Sequence, residues 1–342
     1  MTRRAWSAAL SAALFSLFSL LTGCAVWMPL PQTAALQHQV PADLPRAVER
    51  SEVPFFPQTP YHCGPAALAT VLGHAGLPAD PQALAAAVFL PSRGGSLQIE
   101  MVAAARRQGA LATRLPGELE ALLREVAAGQ AVVVLQNLGL AIAPVWHYAV
   151  LVGYDLDAAE VLLRSGVTER ERLPLHTFER TWARAGRWAV VVLPPGQLPA
   201  TATPQAALDA AIGFECTAPP AQAAMAYRSL LQRWPELPLA GIGLGNTLNA
   251  AGDVAGAAQA FEGVAQRHDS AVAWNNLARL RLALGQTDAA RTAALRAVAR
   301  AEHAEPAWLD AARATLALLG PASPAGPAEQ APALLKAPQA AR

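Results

Sequence analysis

The spacing of apolar and polar positions divides the chain into an early part of mixed period and a later part of helical period alone. Apolar residues fall at helical intervals over 65–74 (Ala67, Leu68, Val71, Leu72), 81–88, 97–108 and 119–128, which predicts four helices. The period then changes. Residues 131–136 form a short β-branched run of the kind that fills a buried strand, residues 146–154 a second and 160–165 a third. The polar break Asp155-Leu156-Asp157 between the last two predicts a hairpin. Residues 188–193 add a further strand, closed by Pro194 and Pro195. Helices first and strands after them predict a first domain over 53–195 of the α+β class, its N-terminal helices packed on an antiparallel sheet.

Strand signals end there. Pro194-Pro195-Gly196 and the proline- and threonine-bearing stretch that follows predict a linker over 196–204. Beyond it residues repeat at intervals of 33 or 34: Gly252 with Gly285, Ala257 with Ala290, Leu244 with Leu277, Trp274 with Trp308 and Ala223 with Ala257. That period predicts an all-α array of helical hairpins over 205–320, with small residues at Gly245, Ala257 and Ala278 where neighbouring helices must approach. From 321 to 342 the chain is rich in Pro, Ala and Gly without a period, the composition of a disordered tail.

At the other end, Arg3 and Arg4 precede an apolar run from Ala8 to Leu21, which closes on Leu21-Thr22-Gly23-Cys24. The run is shorter than the ~20 residues of a spanning helix and ends in small residues, predicting a cleaved secretory segment over 1–23. Residues 24–52 carry several prolines and no sustained period, and read as a tether. This start resembles the signal of bacterial lipoproteins. The resemblance implies lipidation of Cys24, stable attachment to a membrane through several acyl chains, and a place in the cell envelope facing the periplasm. Ala25 rather than Asp after the cysteine points to the outer membrane.

A formal net charge of +1 without a basic cluster excludes nucleic acid as a partner and charge-driven lipid binding as an attachment. With Cys24 assigned to lipid, Cys63 and Cys216 remain, too few for a disulfide framework. Cys216, near a predicted helix end, reads as a small core residue. Nothing calls for a metal or an organic cofactor. A zinc site would have to be built from Cys63, His62 and His147, without Cys-x-x-Cys or His-x-x-x-His spacing.

Candidate chemistry gathers at Cys63. Gly64 permits a tight turn and Pro65 fixes φ for a first helical turn, so the thiol stands at a helix N-terminus. The thiolate is the nucleophilic form, and a free cysteine of pKa about 8.5 is mostly protonated at neutral pH. A helix dipole contributes about 0.3–1 kcal/mol, whereas lowering the pKa by two units takes roughly 2.7 kcal/mol. A cationic partner is therefore required, normally histidine. Pairing across a hairpin keeps a nearly constant index sum, so a turn centred near Asp157 brings 164–167 alongside His147 and makes Ser165 its near neighbour. His74, His176, His268 and His303 fall on predicted helix or loop surfaces.

Gln58, Cys63-Gly64-Pro65-Ala66-Ala67 and His147-Tyr148-Ala149-Val150-Leu151-Val152-Gly153-Tyr154 together resemble the papain-like cysteine peptidases, in particular the bacteriocin double-glycine leader peptidase-like branch, over roughly 53–193. The resemblance implies Cys63 as nucleophile, His147 as general base and then acid, and the Gln58 side-chain amide with the Cys63 backbone N–H as oxyanion donors. Gln58 stands one residue closer to the cysteine than in papain. The family usually orients its histidine with Asp or Asn on the return strand, where this chain has Ser165, an acceptor without charge. Asn137 and Asp155 are the alternatives, Asp155 lying roughly 26 Å along an extended strand. The repeats, in Leu244-Gly245-Asn246, Gly252-Asp253 and Ala257-x3-Phe261, resemble tetratricopeptide repeats, which implies a protein partner or substrate recruited there. Three readings follow: a lipid-anchored cysteine peptidase acting on peptide or protein amides, a catalytically inactive peptide-binding module or scaffold, and an acyl transferase to an acceptor other than water. Cleavage after a double glycine belongs to that branch and is not carried over to this chain.

Overall fold

The computed structural model describes residues 30–58 and 62–320. The predicted secretory segment, Cys24 and the predicted tail lie outside them. Two compact units divide the chain between Gly243 and Leu244.

The first unit is a seven-stranded antiparallel sheet with helices on both faces. In chain order its elements are α1 (Pro31–His38), β1 (Ala47–Glu49), α2 (Cys63–His74), α3 (Pro81–Val88), β2 (Phe89–Leu90), β3 (Gly95–Ser96), α4 (Gln98–Arg107), β4 (Leu111–Arg114), α5 (Leu119–Ala127), β5 (Val132–Asn137), β6 (Trp146–Asp155), β7 (Glu160–Ser165), β8 (Thr168–Pro174), α6 (Leu175–Ala183), β9 (Ala189–Leu193), α7 (Pro204–Glu215) and α8 (Pro220–Arg233). The main sheet runs β4-β9-β5-β6-β7-β8, with β1 paired to the far end of β6, while β2 and β3 form a separate small hairpin. Strand β5 shows why its sequence is continuously apolar: Val133 and Leu135 enter a core with Leu68, Leu72, Leu84 and Met101 from α2, α3 and α4. Val132 and Val134 enter a second core with Leu36, Leu122, Phe178 and Trp182 from α1, α5 and α6. A strand covered on both faces has no polar face to alternate with.

Three expectations change here. The tether expected over 24–52 is folded from residue 30: Glu179 accepts from the backbone N–H groups of Gln32 and Thr33 at 3.2 and 2.7 Å, and β1 pairs with Gly153, Tyr154 and Asp155. The expected linker over 196–204 is bound to the sheet unit. Fully buried Glu125 accepts from the Ala200 N–H at 3.0 Å and from both the N–H and the hydroxyl of Thr201 at 2.6 Å. Helix α7 packs on β4, and Arg106 lies over Gly213 where a Cβ would stand 2.2 Å from the guanidinium carbon. The compact boundary accordingly falls later, inside the helix over Pro238–Ala250. Cys216, expected in a core, is exposed at the end of α7, with its thiol donating to the Ile212 carbonyl at 3.4 Å.

The second unit is all-α: α9 (Pro238–Ala250), in which the division falls, α10 (Val254–His268), α11 (Ala271–Ala283), α12 (Thr287–His303) and α13 (Leu309–Leu318). These are tetratricopeptide-like helices, and small residues set their spacing. A Cβ on Gly245 would meet the Phe261 ring at 2.6 Å, and Ala257, Ala273, Ala278, Ala290 and Ala294 are fully buried. Asp253 caps α10, its carboxylate accepting from the Gly256 N–H at 2.8 Å.

Candidate active site

Helix α2 begins at Cys63 itself, with His62 as the residue before the first turn, and it is buried from Gly64 to Leu72. The apolar stripe Leu68, Val71 and Leu72 fixes the helix on the sheet and so fixes the thiol at its N-terminus. Gly64 is required by crowding: a Cβ there would meet Ser96 Oγ at 2.7 Å and the Met101 sulfur at 3.1 Å. His62 packs edge-on against Phe89, ring centroids 5.0 Å apart.

Cys63 lines a narrow cleft with Phe56, Gln58, Tyr148, Ser165 and Gly166. The Gln58 N–H donates to the Gly166 carbonyl at 3.1 Å, and its Nε2 lies 4.0 Å from where a Cβ on Gly166 would stand. Gly166 has φ +62 at the turn joining β7 to β8, a conformation that favours glycine. Gln58 therefore lies over the same turn that carries Ser165.

His147 sits near the start of β6, opposite Gln136 of β5. On the other side, β6 pairs with β7 in the register Val150↔Arg164, and a bulge between Leu151 and Gly153 shifts the register by one. Continued to the strand end, that register sets Ser165 diagonally across from His147 on one face of the ladder. The contact is made: His147 Nε2 and Ser165 Oγ are 2.9 Å apart. With Nε2 engaged, Nδ1 is the imidazole nitrogen left for another partner.

Burial disfavours the charged form of each of the two groups. Burial pushes the Cys63 thiol up, and the smaller opposing effect of the Tyr148, Gly64 and Cys63 backbone amides does not offset it. Burial pushes the His147 imidazole down, with Glu171 opposing. Burial raises Tyr148 as well, whose hydroxyl donates to the Ser96 carbonyl at 3.2 Å while its ring meets Trp188 edge-on, centroids 5.7 Å apart.

The other residues considered for orienting the imidazole have different partners. Asn137 Oδ1 accepts from the Gly139 and Val145 N–H groups, each at 3.0 Å, shaping the loop before β6. Asp155 accepts from the Asp157 and Ala158 N–H groups at the hairpin turn. Among the described residues no group of His, Cys, Asp and Glu side chains could hold a metal ion. A residue the sequence reading passed over is buried Arg164, which donates to the carbonyls of Val53 at 3.0 Å and Glu169 at 2.7 Å. It holds the segment leading to Gln58 against β7, and the signal for it was an arginine directly after the apolar run Val161-Leu162-Leu163 in the same strand.

Residues 50–190 match the model of the Peptidase_C39 like family. Similar solved structures include a putative C39-like peptidase from Bacillus anthracis, 22% identical, covering 44% of this chain and 98% of that one with a TM-score of 0.37. The peptidase domain of Streptococcus ComA, a bi-functional ABC transporter, is 19% identical over 42% of this chain and 98% of its own, TM-score 0.35. The Sgt2 TPR domain from Aspergillus fumigatus is 16% identical over 38% of this chain and 91% of its own, TM-score 0.31. No curated protein matches the chain.

Proposed function

From a chain that resembles the C39-like peptidases over residues 50–190 and continues into tetratricopeptide-like helices, we propose a lipid-anchored cysteine peptidase that hydrolyses peptide or protein amides. The observation that carries it is the imidazole held through Nε2 by Ser165, beside the cleft that Cys63 shares with Gln58. In the proposed reaction His147 takes the Cys63 proton as sulfur attacks the carbonyl carbon. The oxyanion is held by the Cys63 N–H and the Gln58 amide, the amine leaves with the proton from His147, and water then hydrolyses the thioester. Because burial disfavours both charged forms, the base in this reading acts at the moment of attack and not through a standing ion pair. Lipid on Cys24 would hold the domain at the periplasmic face of the outer membrane, and the repeats would recruit the substrate or a partner protein. Among the described residues no helix is long and apolar enough to cross a membrane.

A second reading, a peptide-binding module without turnover, is favoured by one observation: Ser165 brings no charge to stabilise an imidazolium, and burial disfavours both ions of the pair. Alkylation by iodoacetamide separates the two, with exposed Cys216 as internal comparator. If His147 is the base, Cys63 alkylation near pH 7 falls by about 10²–10⁴ in His147→Ala while Cys216 is unchanged. An identical Cys63 rate in both proteins, rising only above the ordinary thiol range, sinks the peptidase reading and leaves the binding module.

A further inference from the structure

The loop between β5 and β6 runs Leu138-Gly139-Leu140-Ala141-Ile142-Ala143-Pro144-Val145 into Trp146, nine positions without a charge or a polar side chain. Its apolar side chains face outward: Leu140 is 61% exposed, Ile142 92% and Trp146 54%. Scattered exposed leucines need no explanation, but a contiguous apolar surface does.

The loop is a built shape. The Leu138 N–H donates to the Val145 carbonyl at 2.8 Å, and Leu140 and Ala143 exchange N–H to carbonyl bonds at 3.2 and 3.1 Å. Asn137 Oδ1 takes the Gly139 and Val145 N–H groups. Gly139 is obligatory, because a Cβ would stand 2.3 Å from the Ala143 carbonyl oxygen. Five of the loop's backbone N–H groups are thus satisfied within the loop or by the asparagine at its base, while the outside is hydrocarbon. That combination suits an apolar solvent, where each unsatisfied backbone group is costly. It is ill suited to pairing with an extended peptide, which needs free strand-edge groups.

The chain also enters the fold at this end of the sheet. Glu179 of α6 accepts from the first turn of α1. On the same helix Thr181 accepts from Gln136, and Arg184 just beyond it donates to the Asn137 carbonyl at the base of the loop. Two turns of one helix therefore bridge the start of α1 and the apolar loop. Five residues lie between Cys24 and Leu30, six steps along the chain with a reach of roughly 20 Å at full extension.

We infer that the loop 138–146 docks into a phospholipid bilayer, with Ile142 and Leu140 among the acyl chains and Trp146 at the headgroup level, where tryptophan is favoured. The inference rests on the reading of Cys24 as the lipid anchor. A tether of that reach, starting beside an apolar loop with no charge to repel the hydrocarbon, keeps the loop at the membrane surface. It would also present the cleft beside His147 to a substrate lying at that surface.

The test uses the full chain produced in a bacterial host and reconstituted in phosphatidylethanolamine/phosphatidylglycerol vesicles containing a phosphatidylcholine brominated on its acyl chains. Tryptophan quenching is compared between wild type and Trp146→Phe, and with the exposed-site variant Leu140→Asp/Ile142→Asp. The expected result is greater quenching in wild type than in Trp146→Phe, with the excess lost in the double aspartate variant while all three cosediment with vesicles. If the chain stays out of the vesicle fraction, the anchor and the docking both fail. If it cosediments but Trp146→Phe is quenched as much as wild type, the docking is overturned and the anchor stands. If that equality holds and an apolar peptide shifts Trp146 emission without vesicles, the face is a peptide seat.

Discussion

The two units differ in the side chains that predominate in their cores. In the sheet unit the fully buried residues include Trp182, Phe178, Leu68, Leu72 and Leu122, large groups that hold helices off the two faces of one sheet. In the repeat unit they include Ala257, Ala273, Ala278, Ala290, Ala293, Ala294 and Ala297, groups whose smallness lets helices touch. The first arrangement joins residues far apart in sequence, which is how Gln58, Cys63, His147 and Ser165 come together at one end of the sheet. The second joins each helix to its neighbours in the chain. Long-range packing builds a cleft at a fixed place, and short-range stacking builds an extendable surface.

The sharpest way to break this comparison is to change side-chain size in opposite directions. Trp182→Ala removes a fully buried ring and the indole N–H that donates to the Trp188 carbonyl at 2.9 Å, and should destabilise the sheet unit by about 3–5 kcal/mol, read from hydrogen exchange of β5 and β9 amides. In the repeat unit the damaging change is enlargement: Ala278→Leu should cost about 1–3 kcal/mol, read from exchange in α10 and α11. An Ala278→Leu protein with wild-type protection would show that the repeat helices have room to spare, and the contrast would fall.

The pH dependence sharpens the comparison on the side of the cleft. His147 is lowered in the folded chain, so the native state binds fewer protons than the unfolded state below the ordinary imidazole value of 6.5, and this group's contribution is lost as pH falls. Cys63 is raised, so its contribution is lost as pH rises past the ordinary thiol range. Urea midpoints should therefore fall on both sides of that window. His147→Gln should flatten the acid limb, and Ser165→Asp should shrink the imidazole's share of it by stabilising the imidazolium. An acid limb unchanged in His147→Gln assigns it to other groups.

The smallest effects should be equal in the two units, because capping is local chemistry. Asp80 accepts from the Gln82 N–H at 2.9 Å at the start of α3 as Asp253 does from Gly256 at the start of α10. Asp80→Ala and Asp253→Ala should each cost about 1 kcal/mol in urea unfolding. A large inequality would mean that one carboxylate has a duty beyond its helix.

Elements whose sequence carries one strong period were legible. Helix α3 is found at Pro81–Val88 as expected, and the hairpin β6–β7 with its turn near Asp157 follows from alternation and polar punctuation. Strand β8 was not legible, because Thr168-Glu169-Arg170-Glu171-Arg172 sits on a sheet edge where charged side chains face water and mask the strand. Short β1 and β4 carry too few residues to show a period, and α6 mixes Phe178 and Trp182 with charges. At the cleft, the hairpin index sum placed Ser165 near His147, and the one-residue bulge at Leu151 did not undo it. What no local pattern contained was burial. The fate of both titrating groups, Cys63 up and His147 down, comes from helices and strands distant in sequence.

Glu125 has a consequence for how this protein can be cut and recombined. Its carboxylate is enclosed, and three donors from Ala200 and Thr201 complete its surroundings. A gene fragment stopping at Leu193 would encode a sheet with a stranded anion beneath it, and an uncompensated buried charge is strongly destabilising, about 3–5 kcal/mol. The exchangeable cassette is therefore longer than the residues that show family likeness. It extends through α7 and α8 to the division at Gly243, and a graft that respects that border carries its own counter-donors with it.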